Sequence, residues 1–428
     1  MQNTYIFSIA VLTVYLALSR IALGLLRNRG VTLFALINVL SMLGMLILLR
    51  TDKQIPGVLE PLMASRGMEV LINIAIPCAL VFIYIGFIFF QYYLVHRYAY
   101  ASGVSSLIPI LTPIVALILF KVTPLLLIGP ILFERGASYI DLSAIGFSFL
   151  SFRLSYMAME VRNRVVPMPI FSEFLSFAFF MPIMLVGPIS RYSIFRRSLY
   201  TSEPIPVAAS VIRIVVGLVK YVFLANMLNG LAFDGLLFDG HPHHSIDLVI
   251  SCAAYYLFLY CNFSGFCDMA IGFARLLGIE VEENFDSPLK ARNIKDFWNR
   301  WHITLSTFMR DMLFTPLSKW LVARLGENNL SHAIAIAIFV VFLVIGVWHG
   351  VGLNFFFFGL MHAIGVTFNH YGNLWLRKNL GVIRYKAYMN STPIRIVAVG
   401  ITFCYVSASF LFFANSMDRI VSIPEILQ

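Results

Sequence analysis

The constraint that governs this chain is the recurrence of apolar stretches about as long as a bilayer is thick. A membrane helix needs about 20 mostly apolar residues, and residues 5–26, 31–49, 70–94, 206–233, 246–274, 333–348 and 394–413 supply such runs or most of one. In hydrocarbon every backbone N–H and C=O must be satisfied within the protein, so such stretches fold as helices. Only 12% of the 428 residues are charged and 60% are hydrophobic, whereas a soluble domain carries about 25% charge. A soluble fold is excluded, and a continuous all-α polytopic membrane domain over 1–428 is expected. Roughly ten to twelve spans follow from the pattern. Pro109, Pro113, Pro124 and Pro130 interrupt one apolar region. They leave broken or re-entrant helices and merely kinked ones as equal alternatives.

The first stretch has no basic residue before it and no small-residue cleavage site after it, so it reads as a retained anchor helix. Net charge is +10. Arg20 lies near the end of the first stretch, Arg27 and Arg29 follow it, and Arg377, Lys378, Arg384, Lys386 and Arg395 cluster later, which places both segments in the cytoplasm by the positive-inside rule. The five cysteines all lie in apolar stretches without CxxC spacing; they read as packing residues, with no disulfide framework or zinc site. His241, His243 and His244 flank Pro242 in a loop, without the cysteine or carboxylate set that would make a metal site.

Residues 278–325 break the apolar pattern. After Glu280, Glu282, Glu283 and Asp286 come Lys290, Arg292, Lys295, Arg300, Arg310, Lys319 and Arg324, against only Asp296 and Asp311, and Trp298, Trp301 and Trp320 lie among them. Basic and aromatic residues at this density mark a segment that lies in the membrane interface. Beyond it, His349 stands between Trp348 and Gly350 in an otherwise uncharged, mostly apolar run. An ionisable group there is costly and marks either a functional site or a buried histidine satisfied by one hydrogen bond.

Several motifs then coincide: Phe263-Ser264-Gly265, Asp268-Met269-Ala270, Glu283-Asn284-Phe285, Phe297-Trp298-Asn299-Arg300-Trp301-His302, Leu305-Ser306, Arg310-Asp311 and Trp348-His349-Gly350. Segments 146–164, 180–191 and 217–226 accompany them. Together they resemble the bacterial envelope-polymer branch of the membrane-bound O-acyltransferase family, over about residues 140–415. The resemblance implies a helical bundle with re-entrant and interfacial helices around a central tunnel. Residues 140–415 would form its catalytic core and 1–135 its peripheral N-terminal helices. One departure is Asn262, where relatives often carry an acidic residue; the amide keeps the hydrogen bonding and loses the charge.

Acyl transfer from a thioester to a hydroxyl needs a base, an oriented carbonyl and a place for negative charge. The resemblance implies catalysis by His349 and His302, which are 47 residues apart. Burial favours neutral imidazole, which suits His349 to act as general base, with His302 orienting the acceptor or polarising the carbonyl. Trp298, Arg300, Trp301, Ser306, Arg310, Asp311, Asn262, Ser264, Asp268, Lys290, Arg292, Lys295 and Arg191 are the candidate substrate- and donor-binding residues. The cations among them suit the phosphates of coenzyme A or of a carrier protein's phosphopantetheine arm, and Asp268 and Asp311 suit the fixing of Arg, His and helix positions. No bound cofactor, metal or nucleic acid is implied.

The expected function is O-acylation of an extracytoplasmic polymer with a D-alanyl or acetyl group, in the bacterial cytoplasmic membrane among its lipids. A partner acyltransferase or esterase is a further expectation. A family member acting on a lipid or protein, a transporter and a non-catalytic scaffold are the competing readings; no internal repeat supports the transporter.

Overall fold

The computed structural model describes residues 14–24, 27–51, 66–127, 146–184, 186–201, 204–350 and 352–427. Among them the protein is helical, with only two isolated β-bridges. Four helices are long and apolar enough to cross a membrane: Val207–Leu237, Ser245–Leu276, Glu327–His349 and Thr392–Ala414. Each coincides with an apolar stretch read from the sequence. The stretches at 31–49 and 70–94 fall within the helices Arg27–Thr51 and Arg66–Tyr98. Much of the first stretch, and Pro130, lie outside the described residues.

The chain forms two compact units, residues 1–212 with 270–282 and residues 213–269 with 283–428. In the first, the proline-rich region is one continuous helix, Ile108–Leu127, so the reading of broken pieces does not hold for its described residues. Pro109 occupies the first turn, where a missing N–H costs nothing. Pro113 removes the donor that would have met the carbonyl four residues earlier, and the Gln91 side-chain amide donates to that Pro109 carbonyl instead, at 2.5 Å. The buried acids are likewise matched to donors. Glu160 accepts from Ser193, Glu173 from Tyr192, and Glu282 from the Ser190 hydroxyl and the Arg191 backbone.

In the second unit, the helix Val207–Leu237 from residue 213 on and the helix Ser245–Leu276 up to residue 269 touch backbone to backbone. A Cβ on Gly217 would lie 2.6 Å from the Gly265 carbonyl, and one on Gly265 2.7 Å from that of Gly217. Small residues permit such approach, which gives packing energy where lipid supplies no hydrophobic drive. Arg213 and Lys220 on the first helix pair with Asp268 on the second at 2.9 and 2.7 Å. The loop between them meets the C-terminal helix Met417–Ile426: the His243 amide donates to the Ile426 carbonyl, and Arg419 stacks on Phe238. His243 lies between Asp239 and Asp247, and its hydrogen bond to Asp239 holds the imidazole above its ordinary pKa. Its contacts with these two carboxylates secure the loop.

The helices Leu330–His349 and Leu353–Asn390 cross in the same way at Gly346 and Gly359. A Cβ on Gly346 would stand 2.5 Å from the Phe355 carbonyl and 2.7 Å from the Gly359 Cα. His349 and His362 each follow one of these glycines by three residues, so the crossing sets where both imidazoles lie. Gly346→Ala and Gly359→Ala should each destabilise by about 1–3 kcal/mol through overpacking, whereas Gly372→Ala meets open space. Thermal melts in detergent check this: a Gly346→Ala midpoint equal to that of Gly372→Ala would refute the close crossing.

Candidate active site

The site is assembled around a short backbone pairing. Asn293 caps the helix Ile294–Arg300 by accepting from the Asp296 amide, as an Asn at that position should. Beyond the helix the chain turns extended, and Trp301 pairs antiparallel with Phe285. The Asp286 amide donates to the Arg300 carbonyl at 2.9 Å, and the Ile303 amide to the Asn284 carbonyl at 3.0 Å. The Glu-Asn-Phe and Arg-Trp-His motifs are thus two sides of one structure. Arg300 reinforces it, donating to Asp296 at 2.9 Å and to the Asp286 carbonyl at 3.1 Å.

His302 stands where this pairing meets the helix Ile303–Met309, with φ +45° and ψ +53°. The left-handed region is costly for a residue with a Cβ and persists only where surroundings impose it, typically at functional sites. Here the flanking backbone bonds impose it. The side chain is buried, and its ring meets Phe263 edge to face at 4.9 Å.

The hydrogen bonds of Asn284 settle the protonation of His302. Its Oδ1 lies 3.3 Å from the Thr304 amide, which can only donate, and 2.8 Å from the Thr304 hydroxyl. Its Nδ2 points to the Cys267 sulfur at 3.4 Å. An oxygen therefore faces His302 Nδ1 at 3.0 Å, so Nδ1 carries the proton and Nε2 is the ring's acceptor nitrogen. Burial, reinforced by His349, lowers the His302 pKa from 6.5 to about 3. The ring is neutral throughout the physiological range.

His349 ends the helix Leu330–His349, and its ring contacts Trp348, Phe358 and Phe413. It interacts electrostatically with both His302 and His362. Gly350 follows because the Phe355 ring occupies the space a Cβ would need. His362, on Leu353–Asn390, is buried and touches Phe358 at 4.6 Å. Sequence reasoning gave it no role, although the argument that singled out His349, an imidazole in an apolar segment, applies to it equally. Asn284 was quoted only as part of a motif.

A cavity of about 560 Å³ lies beside this cluster. Lys295, Arg310 and Arg377 are its cations, Ser306, Asn299 and His370 are among its polar groups, and Trp298 and Phe342 are among its aromatic lining. A second cavity of about 350 Å³ shares Lys295 and Asn299 and adds Arg292 and Arg300. Of the residues expected at the site, His302, His349, Trp298, Ser306, Arg310 and Lys295 thus belong to the cluster or the adjoining cavity.

The others are placed differently. Trp301 packs among Tyr256, Phe285 and Phe297, and Asp268 holds Arg213 and Lys220. Asp311 lies 3.5 Å from Arg310. Ser264 is buried and Asn262 half-buried on the Ser245–Leu276 helix. Lys290 ends the turn Pro288–Lys290. Arg191 belongs to the first unit, with its guanidinium 5.2 Å from the Tyr156 ring.

A sequence model described as MBOAT, membrane-bound O-acyltransferase family, matches residues 89–399. The teichoic acid D-alanyltransferase of Bacillus subtilis is 28% identical over 334 residues, which is 76% of this chain and 81% of that protein. The peptidoglycan O-acetyltransferase of Helicobacter pylori is 33% identical over 57% of this chain and 44% of its own length. The probable alginate O-acetylase AlgI of Pseudomonas aeruginosa is 32% identical over 49% and 39%, respectively.

The low pKa of His302 has a consequence for stability. Below pH 6.5 the unfolded chain binds a proton at this residue that the fold refuses until about pH 3, so its contribution is lost as pH falls through that window. Melting midpoints in detergent should therefore fall on going from pH 7 to pH 4, and fall less in His302→Gln. Equal acid sensitivity in the two proteins would contradict the buried, neutral assignment.

Proposed function

The chain belongs to the membrane-bound O-acyltransferase family, and from that premise we propose that it carries an acyl group from a cytoplasmic thioester through the bacterial cytoplasmic membrane to hydroxyls of a cell-envelope polymer. It is an acyl-transferring enzyme of the membrane; the donor, the acceptor and the residue roles are the proposal. The observation that carries it is a buried His302 whose acceptor nitrogen is fixed by Asn284 and which His349 influences electrostatically.

The acceptor oxygen attacks the thioester carbonyl while His349 takes the hydroxyl proton. The C–S bond then breaks, and the departing thiolate receives that proton back from His349. His302 is too weak a base for this step at a pKa of about 3. In its neutral tautomer Nε2 accepts a hydrogen bond and cannot donate one to the carbonyl oxygen, which favours orientation over polarisation among its two expected roles. The cavity lined by Lys295, Arg310 and Arg377 suits the phosphate end of the donor, since coenzyme A and a carrier-borne phosphopantetheine both present phosphate to cations. An internal tunnel joining this cavity to the outer face completes the reading.

Of the two acyl groups, D-alanyl is the better supported. The B. subtilis D-alanyltransferase aligns along most of both chains, whereas the O-acetyltransferases align over less than half of their own lengths. Deleting the gene and analysing alkali-released envelope esters tests this. The expected result is loss of D-alanine, restored by the wild type and not by His349→Ala. Because a general base contributes about 10²–10⁴-fold, His349→Ala should lose at least a hundredfold in rate, and His302→Ala somewhat less. Loss of acetate would reassign the acyl group. Unchanged esters, or a fully active His349→Ala, would overturn the proposal.

A further inference from the structure

His362 is joined to three elements by a hydrogen-bond chain whose directions are all fixed. The Trp298 indole N–H can only donate, and it lies 3.2 Å from His362 Nδ1. Nδ1 is therefore an acceptor, and the neutral ring carries its proton on Nε2. Nε2 lies 3.0 Å from the Ser409 hydroxyl, which itself donates to the Val406 carbonyl at 2.7 Å. The chain thus runs from the helix Ile294–Arg300 through Leu353–Asn390 to Thr392–Ala414. Packing restrains the ring as well: Phe297 lies nearly parallel to it at 6.1 Å, and Phe358 touches both it and His349.

We propose that His362 is a positioning residue of the acyl-transfer reaction, which acts by holding the Trp298 indole as the wall between the cation-lined cavity and the histidine pair. Trp298 lines that cavity, and Phe342 packs on it from the cavity side at 5.1 Å. Trp298 has one polar atom, and His362 receives its hydrogen bond. Without that bond the indole can turn about its side-chain torsions and change the shape of the cavity's inner end. His362 takes no proton from the substrate in this scheme; both of its ring nitrogens are already engaged. His302 and His362 are consequently mirror cases. One is fixed by donating through Nδ1 and the other by accepting there.

This inference rests on the reading of the cavity as the thioester site, and the test separates the two. Membranes with equal amounts of wild type, His362→Phe, His362→Asn, Trp298→Phe and the double variant His362→Phe/Trp298→Phe are assayed for ester formation. Acetyl-CoA and a D-alanyl-charged carrier protein are each varied as donor. His362→Phe keeps an aromatic ring and loses the acceptor, so KM for the thioester should rise about tenfold, the scale of one buried hydrogen bond. Its kcat should change by less than about threefold, as expected when binding rather than the transition state is affected. His362→Asn, whose Oδ1 stands where Nδ1 stood, should recover most of the loss. Trp298→Phe should match His362→Phe, and the double variant should be no worse than either, since both remove the same bond.

Wild-type KM in both single variants would overturn the inference, and so would effects that multiply in the double variant. A kcat loss accompanied by disappearance of the acid limb of the pH profile would make His362 a proton-transfer group instead. A wild-type enzyme that saturates with neither thioester would overturn the donor reading and this inference together. Saturation by one of them, with unaltered variants, would overturn only the inference.

Discussion

The candidate site in the second unit depends on a short backbone pairing, one of two isolated bridges among described residues that are otherwise helical or in turns. Strand-like hydrogen bonds between residues 284–286 and 300–303 fix the only point at which a histidine is held in the left-handed region among the described residues. An isolated bridge of this kind has little stability of its own. It is held by what packs on it. Tyr260 and Phe263, on one face of the Ser245–Leu276 helix, meet the rings of Phe285, Trp301 and His302. Arg213 donates to Glu283 at 2.6 Å while also contacting Asp268. The acidic residue of Glu-Asn-Phe thus anchors the pairing to two membrane helices, and the asparagine reads out the position in hydrogen bonds to His302.

The long apolar helices were legible in the sequence because length and apolarity alone specify them in a bilayer. The prolines of 108–127 left two readings open because their effect is local: a helix survives a missing N–H when a side chain such as Gln91 takes the orphaned carbonyl, and that compensation lies 18 residues away. The candidate site was legible as motifs and illegible as geometry. Glu-Asn-Phe and Arg-Trp-His are separated by a turn and a short helix, so nothing in their spacing says that they pair. Arg300 looks like a ligand group when counted as a charge, whereas Asp268 already suits the fixing of an arginine. In the fold, Arg300 is bound up with Asp286 and Asp296, and Asp268 with Arg213 and Lys220. His362 was passed over because no motif surrounds it, though its burial cost alone would have nominated it.

Glycine carries much of the geometry for one physical reason. Helices in lipid gain little from apolar contact itself, so close approach and exact directional bonds must supply the packing. The crossings at Gly217 with Gly265 and at Gly346 with Gly359 bring backbones together, and the polar side chains near each crossing then fall within bonding distance. Asp268 follows Gly265 by three residues, as His349 follows Gly346 and His362 follows Gly359. Close crossing and polar site are parts of one arrangement, in which the helix turn after the contact carries the functional group.

The amide at residue 284 sets the charge state of this arrangement. A carboxylate facing His302 Nδ1 would orient the ring equally well and would favour its protonated form. It would also place a charge where desolvation is costly unless a cation accompanies it. Asn284 gives the orientation without the charge: its oxygen accepts from His302 and Thr304, its nitrogen donates to Cys267, and the site remains electrically neutral. What is given up is basicity, since burial, reinforced by His349, holds His302 near a pKa of 3. A reaction that must take a proton from a hydroxyl near neutral pH then needs a second imidazole. In the proposed mechanism, the division of labour between a fixed His302 and a proton-accepting His349 accords with an asparagine rather than an aspartate at residue 284.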